Sequence, residues 1–479
     1  MNQPKILTPL PILAFVVGFS LMVFELAAAR MLAPSIGGSI YVWTSVIGVI
    51  IAALSLGYWL GGTLADKRTK PTDIVWLCMA VAVSIVGVVL VSDNVMSLVV
   101  QSVGDARIQG VLISLFLFAP TSLLIGMISP YITKLNISSL ETSGKSVAGI
   151  TALDAIGGIT GTFLAGFVLF GILGVRESFI VVAVLFVLTS WVIAPWYKTA
   201  QRAAVSLTLC IVGVAVLASS GQLVVETPSA SYAINEARVR QTGDRVRTLA
   251  TGPSGIQSAV SLSDPQRLVL WYAEQTQATI ERNTSQPRTI AILGGGAYSL
   301  PRSLSAAYPE AQIDVIEIDP ELEAISEKYF AYSKPANVTT IAEDARSYLN
   351  RTAIKYDVVV VDVFGDILTP FSLSTHEFSQ QLRRAVTPDG LVVVNIVAGN
   401  GTECRQLLSQ LDAPFRAAFS HQSYSVDPTF KTKGNIVAAY QNTPINMPNQ
   451  TTLSIPPAEV FYDNYAPLEP LQQRCLAQL

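Results

Sequence analysis

The chain of 479 residues is 51% hydrophobic and only 14% charged, with a formal net charge of -3, whereas ordinary soluble domains carry roughly 25% charged residues. That composition excludes disorder, coiled coil and collagen, and equally a uniformly soluble globule. Residues 1–220 hold 11 Lys+Arg and 8 Asp+Glu, leaving 20 and 26 for residues 221–479, so a nearly uncharged front precedes an acidic back and two different solvents are implied.

A helical span needs about 20 apolar residues, and the front half supplies seven such runs, near residues 7–29, 41–64, 73–92, 108–133, 147–171, 178–196 and 203–222. Residues 1–222 are therefore expected to form a multispan α-helical membrane domain. The first run lacks a small-residue cleavage site, so it is expected to stay in the mature chain. Gly57, Gly61, Gly62, Gly157, Gly158 and Gly161 suit close helix approach. Glu25 and Asp154 lie at membrane depth, where an ionisable group is costly and marks a functional candidate; Glu25 can also pair with Arg30. Lys5, Lys67, Arg68, Lys70, Lys134, Lys145, Lys198 and Arg202 fall on one side of these spans and Arg30, Arg107 and Arg176 on the other. The positive-inside rule then makes the amino terminus cytoplasmic, and seven spans place the back half outside. A cytoplasmic back half requires a count different by one, with 203–222 interfacial or 94–103 an added crossing.

Cys78 and Cys210 sit in apolar runs, and Cys404 and Cys475 stand far apart in the polar half, with no metal or redox spacing. All four read as small buried side chains. With His376 and His421 the only histidines, no metal site is expected, and the acidic back half argues against nucleic acid as a partner.

From residue 223 the composition turns polar. Residues 223–285 read as a small β-rich module, since 229–270 alternate polar and apolar residues between turn signals. Residues 286–479 alternate strand and helix, with apolar strands at Thr289–Leu293, Gln312–Glu317, Tyr356–Asp362 and Leu391–Ile396 and helices near 298–308, 320–330 and 374–386. Continuous apolar strands separated by helices predict a doubly wound, Rossmann-like α/β sheet, whose ligands bind beyond the strand carboxyl ends. Four such ends carry candidate chemistry. Gly294-Gly295-Gly296 makes a glycine-rich turn that lets a nucleotide-like ligand approach the backbone. Glu317, closing the next strand 23 residues on, can accept from both ribose hydroxyls. Asp344, in Glu343-Asp344-Ala345-Arg346, can accept from an adenine amino group or cap the helix that follows. Asp362 and Asp366 can hold and deprotonate a cationic amine. Asp319 is expected to cap the helix starting at Pro320, and Ser374 with Glu377 has capping-box spacing, which makes His376 a helix-start residue.

These motifs, together with Gly255-Ile256-Gln257-Ser258, Trp271-Tyr272, Thr375 to Phe378 and Asp463 to Pro467, resemble the spermidine synthases (polyamine aminopropyltransferases), and the whole chain looks like bacterial members fused to a multispan membrane domain. The resemblance spans about 240 residues in order. It implies a methyltransferase-type Rossmann fold and a bacterial inner-membrane location with the catalytic domain cytoplasmic, against the seven-span count. It implies transfer of an aminopropyl group from decarboxylated S-adenosylmethionine, the co-substrate, to putrescine or a related amine. Gly294, Gly295, Gly296, Glu317, Asp344, Ala345 and Gln257 would bind the donor, and Asp362, Asp366 and Tyr272 would serve catalysis. Its partners would be the amine, the lipid bilayer and, as one assembly open to it, a second copy in a homodimer. The chain departs from the family at Ala297, where an acid holds the donor's amino group, at Ala273 after the tyrosine, and in the four-residue spacing of Asp362 and Asp366. Ala297 leaves open a methyltransferase using intact S-adenosylmethionine, and Glu25 with Asp154 leaves open a polyamine transporter or sensor.

Overall fold

The structure is a computed structural model that describes residues 9–476 apart from 37–39, 69, 104, 138–142, 196, 220–222, 228, 239–242, 253–254, 364–368, 400 and 429–432. It divides into two compact units, Met1–Ser231 and Tyr232–Leu479.

The first unit is helical: α1 (Pro9–Ile36), α2 (Ile40–Lys67), α3 (Pro71–Ser102), α4 (Ala106–Leu117), α5 (Ala119–Asn136), α6 (Ser143–Leu164) continuing through a π turn at Ala165–Leu169 into α7 (Phe170–Ile172), α8 (Val175–Ile193) and α9 (Thr199–Ser219), then strand β1 (Leu223–Glu226). Five of these helical runs are long and apolar enough to cross a membrane, and the α4–α5 pair, bent by 52°, makes a sixth if counted as one span. The last expected span contains a shorter apolar stretch, Thr199–Ala215. Residues 94–103 add no crossing, because α3 runs unbroken to Ser102. The expected run at 108–133 is broken at Phe118, where Pro120 opens the next helix and cannot donate a backbone N–H to the turn before it.

Glycine decides how these helices meet. A Cβ on Gly157 or Gly161 would overlap the α1 backbone at Phe15 or Phe19, and one on Gly57 would overlap Leu123 in α5. The α1–α6 and α2–α5 backbones therefore touch, as small residues allow. Phe24 fills the middle, with its ring 5.3 Å from that of Phe179 and 5.8 Å from that of Phe118.

The second unit begins with an antiparallel sheet of β2 (Ser231–Arg238), β3 (Arg245–Ala250) and β4 (Ser258–Ser261), followed by α10 (Trp271–Asn283). That helix falls in the expected β-rich module. Its buried Ala273, Thr276, Thr279 and Ile280 have helical spacing, but threonine in place of aliphatic residues hides the stripe. The α/β part then runs β5 (Thr289–Leu293), α11 (Ser299–Ala307), β6 (Gln312–Glu317), α12 (Leu322–Tyr329), β7 (Val338–Ala342), α13 (Ala345–Arg351), β8 (Tyr356–Val361), α14 (His376–Ala385), β9 (Val386–Gly399), α15 (Thr402–Ala418), β10 (His421–Val426), β11 (Lys433–Gln441) and α16 (Leu468–Leu476).

Strand order is β10-β11-β9-β8-β5-β6-β7. β5 pairs in parallel with both β6 and β8, and β8 with β9, whereas β11 and β10 are antiparallel. The expected Rossmann-like sheet is thus mixed at one edge. The chain leaves β5 toward β6 and returns on its other side at β8, so the topological switch point lies between β5 and β8. The cysteine expectation fails in this unit. Cys404 and Cys475 are not separate thiols but a disulfide, with Cα atoms 4.5 Å apart, because α15 and α16 pack side by side across 71 residues of sequence. In the first unit Cys78 is buried as expected, while Cys210 is exposed.

Candidate active site

The switch point gathers most of the sequence candidates. Gly294 ends β5 at φ +96°, and a Cβ there would run into the backbone carbonyl of Asp362, so glycine is what lets the β5 and β8 tips close together. Gly296 also takes positive φ, +53°, and Tyr298 follows at +54° as the residue before α11. Tyr298 is fully buried and its ring centroid lies 4.8 Å from that of Tyr332. Packing therefore holds a non-glycine residue in the left-handed region, which costs an L-residue roughly 1 kcal/mol.

Glu317 closes β6 and reaches back to this turn. Its Oε2 accepts the Gly295 N–H at 2.7 Å and its Oε1 the Asp319 N–H at 2.9 Å. Each oxygen keeps a further lone pair, so the carboxylate is fixed in orientation yet able to accept a diol. Burial pushes its pKa upward, while the two backbone donors pull the other way. Asp319 does not cap the next helix directly. α12 starts only at Leu322, and the Asp319 carboxylate accepts the Glu321 N–H at 3.0 Å and the buried Tyr232 hydroxyl at 2.8 Å.

Asp362, just past β8, is the most perturbed acid of the group. Desolvation raises its carboxyl to about 6, opposed by hydrogen bonds from Asn395 and Tyr272. The Asn395 Nδ2 bond measures 2.9 Å, and Asn435 Nδ2 in turn donates to Asn395 Oδ1 at 2.9 Å. The Tyr272 hydroxyl donates to the Gln257 carbonyl at 3.0 Å, and this carboxylate is the alternative acceptor for its single proton. Burial first, and then the charge of Asp362, hold the Tyr272 phenol well above its ordinary pKa, so it remains a donor. Gln257, Tyr272 and Asp362 thus form one chain of contacts, with Gly294 packed on the Asp362 backbone. Asp366 lies outside the described residues.

Asp344 takes the capping role that the sequence left open. It is the N-cap of α13, its Oδ1 accepting the Ser347 N–H at 2.9 Å, with Ala345 buried behind it as the first helical residue. The expected cap at Ser374 is displaced by one residue. Thr375 precedes α14 and accepts the Phe378 N–H, while its hydroxyl donates to Asp463 at 2.7 Å. Glu377 accepts the Asp463 N–H at 3.0 Å instead of closing a capping box. His376 is the first residue of α14, its ring 5.3 Å from that of Tyr462. Asn395, Asn435 and Tyr232 were missed by sequence reasoning. An asparagine inside the apolar run Val392-Val393-Val394-Asn395-Ile396 is the one signal that could have exposed Asn395, since a buried amide needs partners.

What this arrangement can do follows from its parts. A backbone-lined turn beside a fixed carboxylate suits a ribose, and a raised carboxyl held by an amide and a phenol suits a group that accepts a proton near neutrality.

Residues 272–449 match the family model described as "Spermine/spermidine synthase domain". A polyamine aminopropyltransferase of Vibrio vulnificus (strain CMCP6) is 29% identical over 223 residues, covering 44% of this chain and 71% of that protein. A "Probable polyamine aminopropyl transferase" of Bifidobacterium longum (strain NCC 2705) is 30% identical over 162 residues, and the matched part spans 34% of this chain and only 35% of that protein. Among solved structures, a probable spermidine synthase from Corynebacterium glutamicum is 27% identical with a TM-score of 0.38, covering 45% of this chain and 78% of that one.

Proposed function

We propose, because residues 272–449 match the model of a spermine/spermidine synthase domain, that the chain is an aminopropyltransferase that moves an aminopropyl group from decarboxylated S-adenosylmethionine to putrescine or a related amine. Glu317 binds the ribose, the turn Gly294-Gly295-Gly296 lies along the nucleoside, and Gln257 lines the donor pocket. Asp344 and Ala345 face the adenine end, and Tyr272 lines the amine pocket. Asp362, with Asp366 beside it in the sequence, anchors the amine. The neutral amine nitrogen attacks the carbon next to the sulfonium, a C–N bond forms, and the C–S bond breaks with its electron pair leaving on methylthioadenosine. The proton lost by the nitrogen passes to Asp362. A free amine titrates near about 10, so the site has both to attract the cation and to take its proton, and an acid charged above about pH 6 does both at neutral pH.

The observation that carries this reading is the single constellation of Gly294, Glu317, Tyr272 and Asp362 around one switch point. Purified full-length protein supplied with decarboxylated S-adenosylmethionine and putrescine should yield methylthioadenosine and a lengthened amine by mass spectrometry. Neither product across a panel of di- and triamines would sink it. One residue favours a second reading: Ala297, fully buried, stands where the family's acid meets the donor's amino group. If the donor is instead intact S-adenosylmethionine, titration calorimetry should rank it above the decarboxylated form and the reaction becomes methyl transfer.

Residues 9–219 are proposed to span a bacterial inner membrane. The support is the five long apolar helices and the bent pair, with Trp59, Phe167 and Ile172 facing outward at 65%, 76% and 75% exposure, an area of apolar surface that a monomer in water rarely shows.

A further inference from the structure

We infer that the α/β unit works on the non-cytoplasmic face of the membrane, the face opposite the one where α1 begins, and that Cys404 and Cys475 are joined there as a disulfide. The inference rests on the membrane-spanning reading of residues 9–219, and it departs from the cytoplasmic placement that the family resemblance implies.

The direction of each helix inside the first unit sorts its ends into two groups. The Lys134 ammonium pairs with Asp66, Arg68 lies 3.1 Å from Asp73, and Lys198 lies 5.6 Å over the Trp76 ring. The end of α2, the start of α3, the end of α5 and the α8–α9 turn therefore share one end of the bundle. Arg202 belongs there too, donating to the Ala194 and Tyr197 carbonyls at 2.5 and 3.1 Å with its guanidinium 4.3 Å from the Trp191 ring. The opposite end holds Arg30, Arg107 and Arg176, the last bonded to Asp93 at 2.7 Å. Lysine and arginine in short loops mark the cytoplasmic side, and acids weigh little in that rule. The end with Lys67, Arg68, Lys70, Lys134, Lys145, Lys198 and Arg202 is thus cytoplasmic.

α9 leaves that end. Its Ser206 hydroxyl takes the Trp191 indole N–H at 3.3 Å, and a Cβ on its Gly213 would lie 3.6 Å from Ile180, in the first turns of α8 at the far end. Twenty-one residues at about 1.5 Å each match a hydrocarbon core of about 30 Å. β1 then emerges where α1 finishes: Arg30 Nη1 donates to the Thr227 carbonyl at 2.9 Å, and a Cβ on Gly174 would lie 3.2 Å from Glu226. Chain continuity carries everything after Ser231 to the face with fewer basic residues, so α9 crosses rather than lying at the interface.

The disulfide points the same way by independent chemistry. Cys404 on α15 and Cys475 on α16 are both buried, with a Cα separation of 4.5 Å inside the window a disulfide needs. Such bonds persist in oxidising compartments and are rare where glutathione keeps thiols reduced. A site on this face draws its amine from the extracytoplasmic pool, and its adenosyl donor must reach that side.

The full chain with a carboxyl-terminal epitope tag, expressed in a bacterial inner membrane, tests this without any activity measurement. External protease should remove the tag in intact spheroplasts and leave it protected in inside-out vesicles. Separately, protein denatured with N-ethylmaleimide, then reduced and treated with a polyethylene glycol maleimide, should gain two adducts, and the Cys404→Ser/Cys475→Ser variant none. A tag cleaved only in inside-out vesicles, or a wild-type chain that gains no adduct, would overturn the inference. A tag recovered in the soluble fraction would overturn the membrane reading and the sidedness with it, leaving the proposed chemistry standing.

Discussion

Asp362 is the residue on which turnover is expected to depend most. Because desolvation raises its carboxyl to about 6, it is charged and able to accept a proton only above that value. The acid limb of kcat/KM should therefore fall as pH drops through about 6. Asp362→Asn should lower kcat by about 10²–10⁴-fold, the range usual for loss of a general base. Asn395 opposes the shift by donating to the charged form, so Asn395→Leu should move the acid limb upward by about one pH unit, the equivalent of one charge-assisted hydrogen bond. A limb that does not move in this variant would separate Asp362 from the pH profile. Gly294→Ala meets both a positive φ and the Asp362 carbonyl. It should weaken donor binding measured by calorimetry while leaving the far-ultraviolet spectrum of the protein unchanged.

At the scale of elements, two contacts make opposite demands on side-chain size. α1 and α6 meet through glycine, so Gly157→Val and Gly161→Val should lower the melting temperature in detergent sharply, whereas Gly149→Val, with open space around its Cα, should not. In the α/β unit a buried acid joins three elements: Asp412 Oδ1 on α15 accepts the Tyr424 and Tyr440 hydroxyls at 2.8 and 2.6 Å, tying the helix to β10 and β11. Asp412→Ala leaves two buried phenols unpaired and should cost about 2–4 kcal/mol in denaturant unfolding of that unit. Asp412 was not visible as special in the sequence. Its partners lie 12 and 28 residues away, and only the antiparallel return of β10 and β11 brings them to one face of the helix.

For the whole molecule, the proposed membrane anchoring predicts that the chain stays in the pellet after alkaline carbonate washing and enters solution only with detergent. Recovery in the wash supernatant would contradict it. The amino-acid pattern by itself determined the division into an apolar helical front and an α/β back, the four central strands, and the two acids at successive strand tips, because these are local: hydrophobic period, glycine turns and strand-end spacing are written in neighbouring residues. Helix α10 escaped because threonines line its buried face, and the antiparallel edge escaped because pairing direction depends on a distant return of the chain. Only the folded arrangement decided that Asn395 and Tyr272 converge on Asp362, that Cys404 meets Cys475, and that β1 emerges beside Arg30. Each of these joins residues far apart in sequence, and such distances are fixed by packing and backbone geometry, which no local pattern encodes.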